Sequence, residues 1–340
     1  MDPFDTPKNK ILHISFNQDQ DCFAVGTETG FYIFESNPVQ ELFYRDFGAG
    51  IGIIAMLHKS NILVLVGGGS HPKYPANKVI LWDEGQKKPI AELTFKSAVT
   101  GIKIRKEKLI VVLEQRIYVY EIPELRLRDV IDTPFNYQGV CDITYTTPTI
   151  LILPEKKKGY VKVINYDEAT NNEYKAHDSA IGALTLNKDG KLCATASDKG
   201  TIIHIHAIEG LVLLQELRRG VEKAEIQCLA FDKDSQWLAC TSDRGTVHIY
   251  SLVDSFKIVY EGKEEKKDAK PKFNFMKGIS SYFNSQKSFA QLRITDSHSM
   301  ARFGSENTLT VVTYEGRHYT TELNTKTPGE CKKYTKKQFL

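Results

Sequence analysis

The sequence predicts an all-β fold, a seven-bladed β-propeller of the WD40-like type with four antiparallel strands in each blade. Three observations lead to this prediction. One kind of unit recurs roughly every 40 to 45 residues, which is the period of a propeller blade. Each unit combines short apolar or alternating segments with glycine-containing turns, and helical periodicity is almost absent from the main body. At 340 residues, the chain is long enough for one large repeat domain over residues 1–340.

The units follow one another along the chain. In the first four, the predicted strands are 11–16, 22–26 and 31–34; 51–57, 62–66 and 78–83; 99–104, 109–113 and 116–120; and 140–145, 149–153 and 159–164. The fifth and sixth units repeat through 181–186, 192–195 and 201–205, then 226–231, 238–241 and 246–250, with an offset of 45 residues in the first and third of these strands and 46 in the second. The seventh unit runs through 292–294, 301–303, 309–314 and 317–323. Asp-x-Gly at the turns is hairpin chemistry, because glycine supplies the positive φ.

The composition is that of an ordinary soluble globular protein, with 41% hydrophobic and 26% charged residues. A net charge of +3 is too small to predict nucleic-acid binding, so any anion site must come from a local patch. The six cysteines lack zinc-binding spacing, which predicts buried thiols in a reducing compartment and no metal site. The N-terminus has no secretory pattern, and no apolar run is long enough to span a membrane. We therefore expect a cytosolic protein without a cofactor.

One segment interrupts the repeat, an insertion in the sixth unit at about residues 260–289. Its first half is a run of charges. In its second half, apolar residues recur on one face at helical spacing, a pattern that can insert into a membrane interface. The residues on this face are Phe275, Met276, Ile279, Tyr282 and Phe283, and together with Phe273 they are the residues predicted to insert. The alternatives are an amphipathic loop packed on the side of the propeller and a protein-docking element.

Two adjacent arginines lie between two turns of similar sequence. Leu-Arg-Arg-Gly occupies 217–220, and Ser-Asp-x-Gly-Thr occupies both 197–201 and 242–246. Guanidinium groups present a fork of N–H donors that matches phosphate oxygens, and hydroxyl groups add neutral donors. If 211–217 is a strand, neighbouring residues at its end point to opposite faces, so the two arginines would serve two different pockets. The alternative is an exposed basic strand end.

In this order and spacing, the motifs resemble those of the PROPPIN family, β-propellers that bind polyphosphoinositides. The resemblance rests on Arg-Arg-Gly at 218–220, on Val-Gly-Gly-Gly at 66–69 with Leu-Trp-Asp at 81–83, and on Ala-His-x-Ser at 176–179. It covers almost the whole chain. The family's usual tetrapeptide begins with Phe, where this chain has Leu217. With no long insert in its fourth unit, the chain is similar to the short fungal branch associated with micronucleophagy.

The resemblance implies two phosphoinositide pockets, one on either side of the blade that carries the arginines. The first pocket would contain His177, Ser197, Thr201 and Arg218. The second would contain Arg219, Ser242, Thr246, His248 and Arg293. His204 stands where many relatives carry another basic residue, so the charge of the first pocket is expected to be reduced. Taken singly, the histidines could instead be core residues, and the hydroxyls could be turn residues that bond their own backbone.

Two pockets on one rim would engage one bilayer together, so that modest affinities combine into avidity. The aromatic segment would add apolar burial on the same membrane. We also hypothesise that His177 and His248 strengthen binding at mildly acidic pH, where imidazolium adds positive charge.

The resemblance therefore implies a peripheral membrane adaptor, not an enzyme. It would be a monomer in solution that binds phosphatidylinositol 3-phosphate, the 3,5-bisphosphate and autophagy or trafficking proteins. It would lie in the cytoplasm and on vacuolar, endosomal and pre-autophagosomal membranes. The competing interpretation is a propeller scaffold that binds only proteins. Catalytic motifs such as a P-loop or a nucleophile elbow are missing, and no aromatic–basic face predicts nucleic-acid binding. The residues leave open the lipid preference and the origin of the strands in blade seven.

Overall fold

The computed structural model, which describes residues 10–261, 285–305 and 307–340, is a seven-bladed β-propeller built from antiparallel sheets of four main strands. The predicted fold class is confirmed. The sheets divide between two compact units. One comprises Met1–Val140, His298–Thr321 and Tyr334–Leu340, and the other comprises Cys141–Ser297 and Glu322–Lys333.

The first three sheets belong to the first unit, and in each the four strands lie in chain order. The strands are β1 (Ile11–Phe16), β2 (Cys22–Thr27), β3 (Gly30–Ser36) and β4 (Val39–Asp46); β5 (Ile51–Met56), β6 (Ile62–Gly67), β7 (Lys78–Asp83) and β8 (Lys88–Thr94); and β9 (Val99–Arg105), β10 (Lys108–Leu113), β11 (Arg116–Glu121) and β12 (Arg126–Asp132). The second strand of each sheet is almost wholly buried, whereas β8 and β12 are mostly exposed. A strand covered on both faces requires a continuous apolar run, and these second strands have one.

The next three sheets form the second unit. Their strands in chain order are β13 (Asp142–Ile143), β14 (Ile150–Pro154), β15 (Tyr160–Asn165) and β16 (Thr170–Lys175); β17 (Ile181–Leu186), β18 (Leu192–Ser197), β19 (Ile202–Ala207) and β20 (Leu213–Arg218); and β21 (Ile226–Phe231), β22 (Trp237–Ser242) and β23 (Thr246–Ser251). A 3-10 turn at Glu209–Leu211 precedes β20. Helix α1 (Val253–Glu261), β24 (Gln286–Lys287) and β25 (Ala290–Arg293) follow β23. In the described part of the chain, no helix is long and apolar enough to cross a membrane.

The seventh sheet returns to the first unit and is built from the C-terminal part of the chain. Its strands are β26 (Ser299–Phe303), β27 (Thr308–Thr313), β28 (Arg317–Glu322) and, after the short strand β29 (Gly329–Glu330), β30 (Tyr334–Gln338). The N-terminal strand β1 pairs within the first sheet instead. The sequence left open whether the seventh blade includes the N-terminal strand; its four strands all come from the C-terminal part of the chain.

The 45-residue repeat is visible in the strand register of the fifth and sixth sheets. Ile181 pairs with Ser197, and Ile226 pairs with Ser242, with a register shift directly after each first pair. The two turns of similar sequence therefore begin at equivalent positions. Five of the six cysteines are buried, as predicted, and Cys331 is partly exposed.

The prediction for the start of the seventh unit is wrong. The sequence assigned 292–294 to that unit, but Leu292 and Arg293 lie in β25, where they pair with β23 of the sixth sheet. The insertion separates the third strand of this sheet from its fourth, so the chain must return to complete the blade. The connection between β28 and β30 is arranged in a similar way. Its short strand β29 pairs in parallel with β25 of the sixth sheet, and β30 then completes the seventh sheet.

Helix α1 was not predicted, and it begins the departure from the repeat earlier than residue 260. Val259 and Tyr260 are partly buried against the core shared by the fifth and sixth sheets. The Tyr260 hydroxyl also donates to Asp189, and Ser255 Oγ donates to Gln215 Oε1 over 2.7 Å. Tertiary contacts therefore stabilise this nine-residue helix, which is too short to be stable on its own propensity.

Candidate functional site

The adjacent arginines lie at the end of β20 and face opposite sides of the sheet. Leu217 is fully buried in the apolar core that the fifth and sixth sheets share. Because side chains alternate along a strand, Arg218 faces the other side of β20, toward the fourth sheet. The Tyr250 hydroxyl donates to Arg218 O over 3.0 Å, which fixes the end of the strand. Leu217 thus fills the packing position below the arginines.

Arg218 contacts the chain that follows the insertion. Its Nε donates to Ser285 Oγ over 3.1 Å, and its side chain remains partly exposed. Strand β24 runs parallel to β20 along the sheet edge and pairs Lys287 with Arg218. The segment that leaves the insertion is therefore attached at the arginine-bearing strand.

On the same face as Arg218, a histidine joins the fifth sheet to the segment before it. His204 Nε2 lies 3.0 Å from Glu216 Oε1, and its Nδ1 lies 2.6 Å from Ala176 O. Its ring stacks on His177 with a centroid distance of 4.3 Å. His204 is therefore already engaged with a carboxylate and a carbonyl, which leaves Arg218 as the cation of the predicted first pocket.

His177 itself is buried. Its Nε2 lies 3.0 Å from Thr195 Oγ1, and only 8% of the residue is exposed. Burial, and then the nearby His204, lower the pKa of His177 to about 3. The ring is thus neutral at mildly acidic pH, so the hypothesis that it gains charge there finds no support. A neutral imidazole can still orient a hydroxyl group or donate one hydrogen bond.

The turn at 197–201 supplies the two hydroxyls of the predicted first pocket. Ser197 is buried, and its Oγ accepts a hydrogen bond from Lys199 N over 3.4 Å, which is the turn role that the sequence left as an alternative. Thr201 is partly exposed. Its carbonyl accepts from Arg219 N over 2.9 Å, so this turn and the start of the arginine loop are hydrogen-bonded. Gly200 adopts φ 60, which the tight turn requires.

Arg219 is held by its own surroundings. Only 8% of the residue is exposed; its Nε donates to Gly200 O over 2.8 Å, and its Nη2 donates to Glu222 O. Two backbone carbonyls therefore orient the guanidinium. Its charge acts on the sixth sheet, because Arg219 contributes to the lowered pKa of His248. Arg219 is thus associated with the predicted second pocket and Arg218 with the first.

The predicted second pocket draws on β23. Tyr250 lies in the core shared with the fifth sheet, so Thr246 and His248, at alternate positions of the same strand, face that sheet as well. Burial, and then the Arg219 charge, lower the pKa of His248 to about 4. Ser242 is buried and accepts from Arg244 N over 3.4 Å.

Arg293 lies at the rim of this group. It pairs with Thr246 across the β23–β25 ladder, and its side chain is 74% exposed. Its Nε lies 3.5 Å from Glu330 Oε1 of β29. An exposed pair of this kind is weak and can open for another anion.

Two serines that were not predicted as site residues contact the residues of the two predicted pockets. Ser285 accepts from Arg218, and Ser288 Oγ lies 3.3 Å from His248 Nδ1 and accepts from Gln291 Nε2 over 2.9 Å. A serine within an irregular segment carries no distinguishing pattern, so only the fold reveals these contacts.

The six residues predicted to insert into a membrane, at 273, 275, 276, 279, 282 and 283, lie outside the described residues. Among the described residues, no group of three or more His, Cys, Asp or Glu is placed to hold a metal ion.

Comparison with known proteins gives a consistent result. A family model described as PROPPIN matches residues 11–332. The chain is 36% identical over 330 residues to autophagy-related protein 18e of Arabidopsis thaliana, which covers 92% of this chain and 85% of that relative. The solved structure of Kluyveromyces lactis Hsv2 superposes with a TM-score of 0.77 at 23% identity, covering 93% of this chain and 94% of the other. A complex of KlAtg21 with a coiled coil of AgAtg16 gives a TM-score of 0.77 at 21% identity, covering 97% and 100%.

Proposed function

Since the chain belongs to the PROPPIN family, whose β-propellers bind phosphoinositide membranes, we propose that it is a peripheral membrane adaptor with two headgroup pockets. Its ligands are phosphatidylinositol 3-phosphate and phosphatidylinositol 3,5-bisphosphate. The observation that carries this proposal is the placement of Arg218 and Arg219 at the end of β20, on opposite sides of the fifth sheet and beside the turn at 197–201. Arg218 shares its face with His204, which stacks on the buried His177, and the charge of Arg219 acts on the buried His248.

In the first pocket, Arg218 is the principal phosphate ligand. Its partial exposure leaves the guanidinium accessible, and Ser285 holds it in place. Thr201 adds a hydroxyl donor, and the buried residues Ser197 and His177 form the floor of the pocket. A charge-assisted hydrogen bond to phosphate contributes about 1.5–3 kcal/mol, so Arg218 supplies most of the affinity of this pocket.

In the second pocket, Arg219 is preoriented by Gly200 O and Glu222 O, so little conformational entropy is lost on binding. Thr246 and Ser242 supply hydroxyl groups, and His248 supplies a neutral imidazole. Arg293 reaches the same headgroup after leaving Glu330. The exposed position of Arg293 suits a ligand that approaches from the rim.

The membrane supplies a further contact through the aromatic segment at 273–283. The contacts of Ser285 with Arg218 and of Ser288 with His248 support this part of the proposal, because these two serines follow that segment in the sequence and lie beside both pockets. Two headgroups and an apolar insertion together meet the requirement that stable peripheral binding has more than one anchor.

The cellular role we propose is in autophagy, of the micronucleophagy type, and in vacuolar and endosomal membrane trafficking. The protein acts as a monomer that carries protein partners to these membranes and to pre-autophagosomal membranes. Relatives named for autophagy support this role. The neighbour KlAtg21, solved with a coiled coil of AgAtg16, supports a partner of the autophagy machinery.

Vesicle flotation tests the headgroup assignment. The vesicles contain phosphatidylcholine alone, or with the 3-phosphate or the 3,5-bisphosphate lipid, and the proteins are the wild type, Arg218→Ala and Arg218→Lys. We expect the wild type to float only with the phosphoinositides and Arg218→Ala to lose binding about tenfold or more. Arg218→Lys keeps the charge but loses the fork of donors, so it is expected to recover only part of the binding.

The matched control is Arg116→Ala. Arg116 is an exposed arginine at the start of β11, paired with Asp132 over 3.0 Å, and its loss removes the same charge. Equal binding by all the variants, or binding of the wild type to plain vesicles, would exclude the two-pocket assignment in favour of a protein-binding scaffold. Phe275→Ser with Tyr282→Ser tests the insertion separately, because it should weaken binding while keeping the preference for phosphoinositides.

A further inference from the structure

Lys287 lies on β24, the short strand that follows the insertion, at the position paired with Arg218 of β20. It was not among the predicted site residues. We propose that Lys287 is a further ligand of the first pocket and selects headgroups with a second phosphate, so that this pocket prefers phosphatidylinositol 3,5-bisphosphate to the 3-phosphate. The inference rests on the proposed function and deepens it by naming the residue that sets the lipid preference.

The contacts of β24 establish which face of the fifth sheet Lys287 occupies. The preceding residue, Gln286, contacts Gln215, whose side chain lies on the opposite face of β20 from Arg218. The residue before that, Ser285, accepts a hydrogen bond from Arg218 Nε over 3.1 Å. Because side chains alternate along a strand, Ser285 and Lys287 share the Arg218 face. Lys287 therefore lies beside Arg218, on the face of the first pocket.

The backbone on both sides of Lys287 is held in place. Before it, β24 pairs with β20. After it, Phe289 N donates to Ile249 O over 2.7 Å, and the Phe289 ring packs against Trp237 with a centroid distance of 5.0 Å. The Lys287 side chain itself is exposed. Only this side chain has to become ordered when a phosphate binds.

The fifth and sixth sheets each gain a fifth strand in parallel, but the two added strands bring opposite charges to an arginine. In the sixth sheet, β29 brings Glu330, whose Oε1 lies 3.5 Å from Arg293 Nε. In the fifth sheet, β24 brings Lys287 to Arg218. Like charges at paired positions of a sheet are destabilising, so stability of the sheet does not explain this lysine. A phosphate group bound between the two cations would offset their repulsion.

Lys287 also decides the net charge of this face. Glu216 is the only acid of β20 and shares the Arg218 face, where its Oε1 lies 3.0 Å from His204 Nε2. Arg218 and Glu216 together give the strand no net charge on this face. Lys287 makes the face positive, and no carboxylate within residues 10–261, 285–305 and 307–340 forms an ion pair with its ammonium group.

The two residue types suit two different phosphates of one headgroup. The Arg218 guanidinium presents a fork of donors that matches one phosphate in a fixed orientation, whereas the Lys287 ammonium is a compact charge on a flexible stem. The phosphates at positions 3 and 5 of inositol are attached on either side of a single ring carbon, so cations from strands about 5 Å apart can each contact one of them. A phosphomonoester carries about 1.5–2 negative charges, more than the phosphodiester that both lipids share. The second monoester therefore attracts Lys287 most strongly.

The test compares the full chain with Lys287→Gln and Lys287→Arg on phosphatidylcholine vesicles that contain equal amounts of either the 3-phosphate or the 3,5-bisphosphate lipid. We expect the wild type to prefer the bisphosphate. Lys287→Gln should bind the bisphosphate about tenfold more weakly and the 3-phosphate less than about twofold more weakly, and Lys287→Arg should keep most of the preference. The matched control is Lys257→Gln, which removes an exposed lysine from α1 on the other side of the insertion and should change neither affinity.

A double variant shows whether the two cations serve the same headgroup. If they do, Lys287→Gln should have little further effect on bisphosphate binding in the Arg218→Ala background. Thermal unfolding provides a separate check, because Lys287→Gln removes a like-charge pair and should not lower the melting temperature. A lowered melting temperature together with an unchanged lipid preference would show that Lys287 is a structural residue, which overturns the inference.

Other results also overturn the inference. An equal loss for both lipids would assign Lys287 to the phosphodiester or to the general surface charge of the bilayer, and a full loss that persists in the Arg218→Ala background would place it outside the first pocket. Soluble inositol 1,3,5-trisphosphate is titrated in parallel; tighter wild-type binding to it than to the vesicles would assign the pocket to a soluble ligand. Failure of the proposed function is distinct, because the wild type would then bind neither lipid.

Discussion

The turns at 197–201 and 242–246 have nearly the same sequence, yet different parts of the chain cover them. In the fifth blade, the Arg219 side chain bonds Gly200 O, and Ala224 packs directly on the glycine. In the sixth blade, the backbone of Ile294, which arrives only after the insertion, donates to Gly245 O over 2.8 Å. The fifth turn is closed by residues that follow it closely in sequence, and the sixth by residues from beyond a long insertion. Equivalent local sequences therefore encode the hairpin but not what stabilises it.

The largest difference in the free energy of unfolding is expected between substitutions of the two turn glycines, Gly200 and Gly245. Both have positive φ, but a Cβ at Gly200 would overlap Ala224 O, whereas a Cβ at Gly245 would lie 2.8 Å from Ile294 O. Gly200→Ala should lower the free energy of unfolding by about 3 kcal/mol or more, and Gly245→Ala by about 1–2 kcal/mol. Urea denaturation measures both. Gly220→Ala is the control, because no atom lies within 4 Å of its Cβ position; equal losses at Gly200 and Gly245 would contradict the comparison.

The next-largest difference in stability is expected between variants of the two adjacent arginines. Arg219 is buried and donates to two backbone carbonyls, so Arg219→Ala leaves both without this charged donor. We expect the free energy of unfolding to fall by about 2 kcal/mol, against less than about 1 kcal/mol for the more exposed Arg218→Ala. Urea denaturation of the single variants measures this. A larger loss for Arg218→Ala would mean that its contact with Ser285 is the stronger structural link.

Acid should weaken the fold without strengthening membrane binding. Burial and neighbouring positive charge hold the pKa of His177 at about 3 and that of His248 at about 4, below the value of about 6.5 for an unfolded histidine. Between these values the unfolded chain binds more protons, so the free energy of unfolding falls as pH falls through this window. We expect a loss of about 1–2 kcal/mol per histidine from pH 7 to pH 5.

Urea denaturation across this pH range measures the slope, and His177→Asn and His248→Asn should each flatten it. Flotation on phosphoinositide vesicles should show no increase in binding between neutral and mildly acidic pH. A clear increase that disappears in either variant would show that headgroup phosphates raise the histidine pKa on binding.

Features that depend on residues close together in the sequence could be predicted, whereas features that depend on contacts between distant residues could not. The seven blades were predictable because their strands and glycine turns are local patterns, and the 45-residue repeat reappears in the pairs Ile181–Ser197 and Ile226–Ser242. Strand β25 was misassigned because its partner β23 lies across the insertion. The site residues could be listed by resemblance, but the bond between Arg219 and Gly200 O depends on how the arginine loop folds back. No pattern of residue types reports such a contact.

The smallest expected effect on stability is at Arg293. Its side chain is largely exposed and its partner Glu330 is half-exposed, so the pair contributes little. Arg293→Ala should change the free energy of unfolding by less than about 0.5 kcal/mol. If Arg293 serves the second pocket, the same substitution should still weaken binding to phosphoinositide vesicles several-fold, because one charge-assisted donor is lost. Glu330→Gln is the matched variant: it breaks the same ion pair but frees the arginine, so it should leave binding unchanged or raise it. Weaker binding by both variants would instead assign the effect to the β25–β29 edge and remove Arg293 from the second pocket.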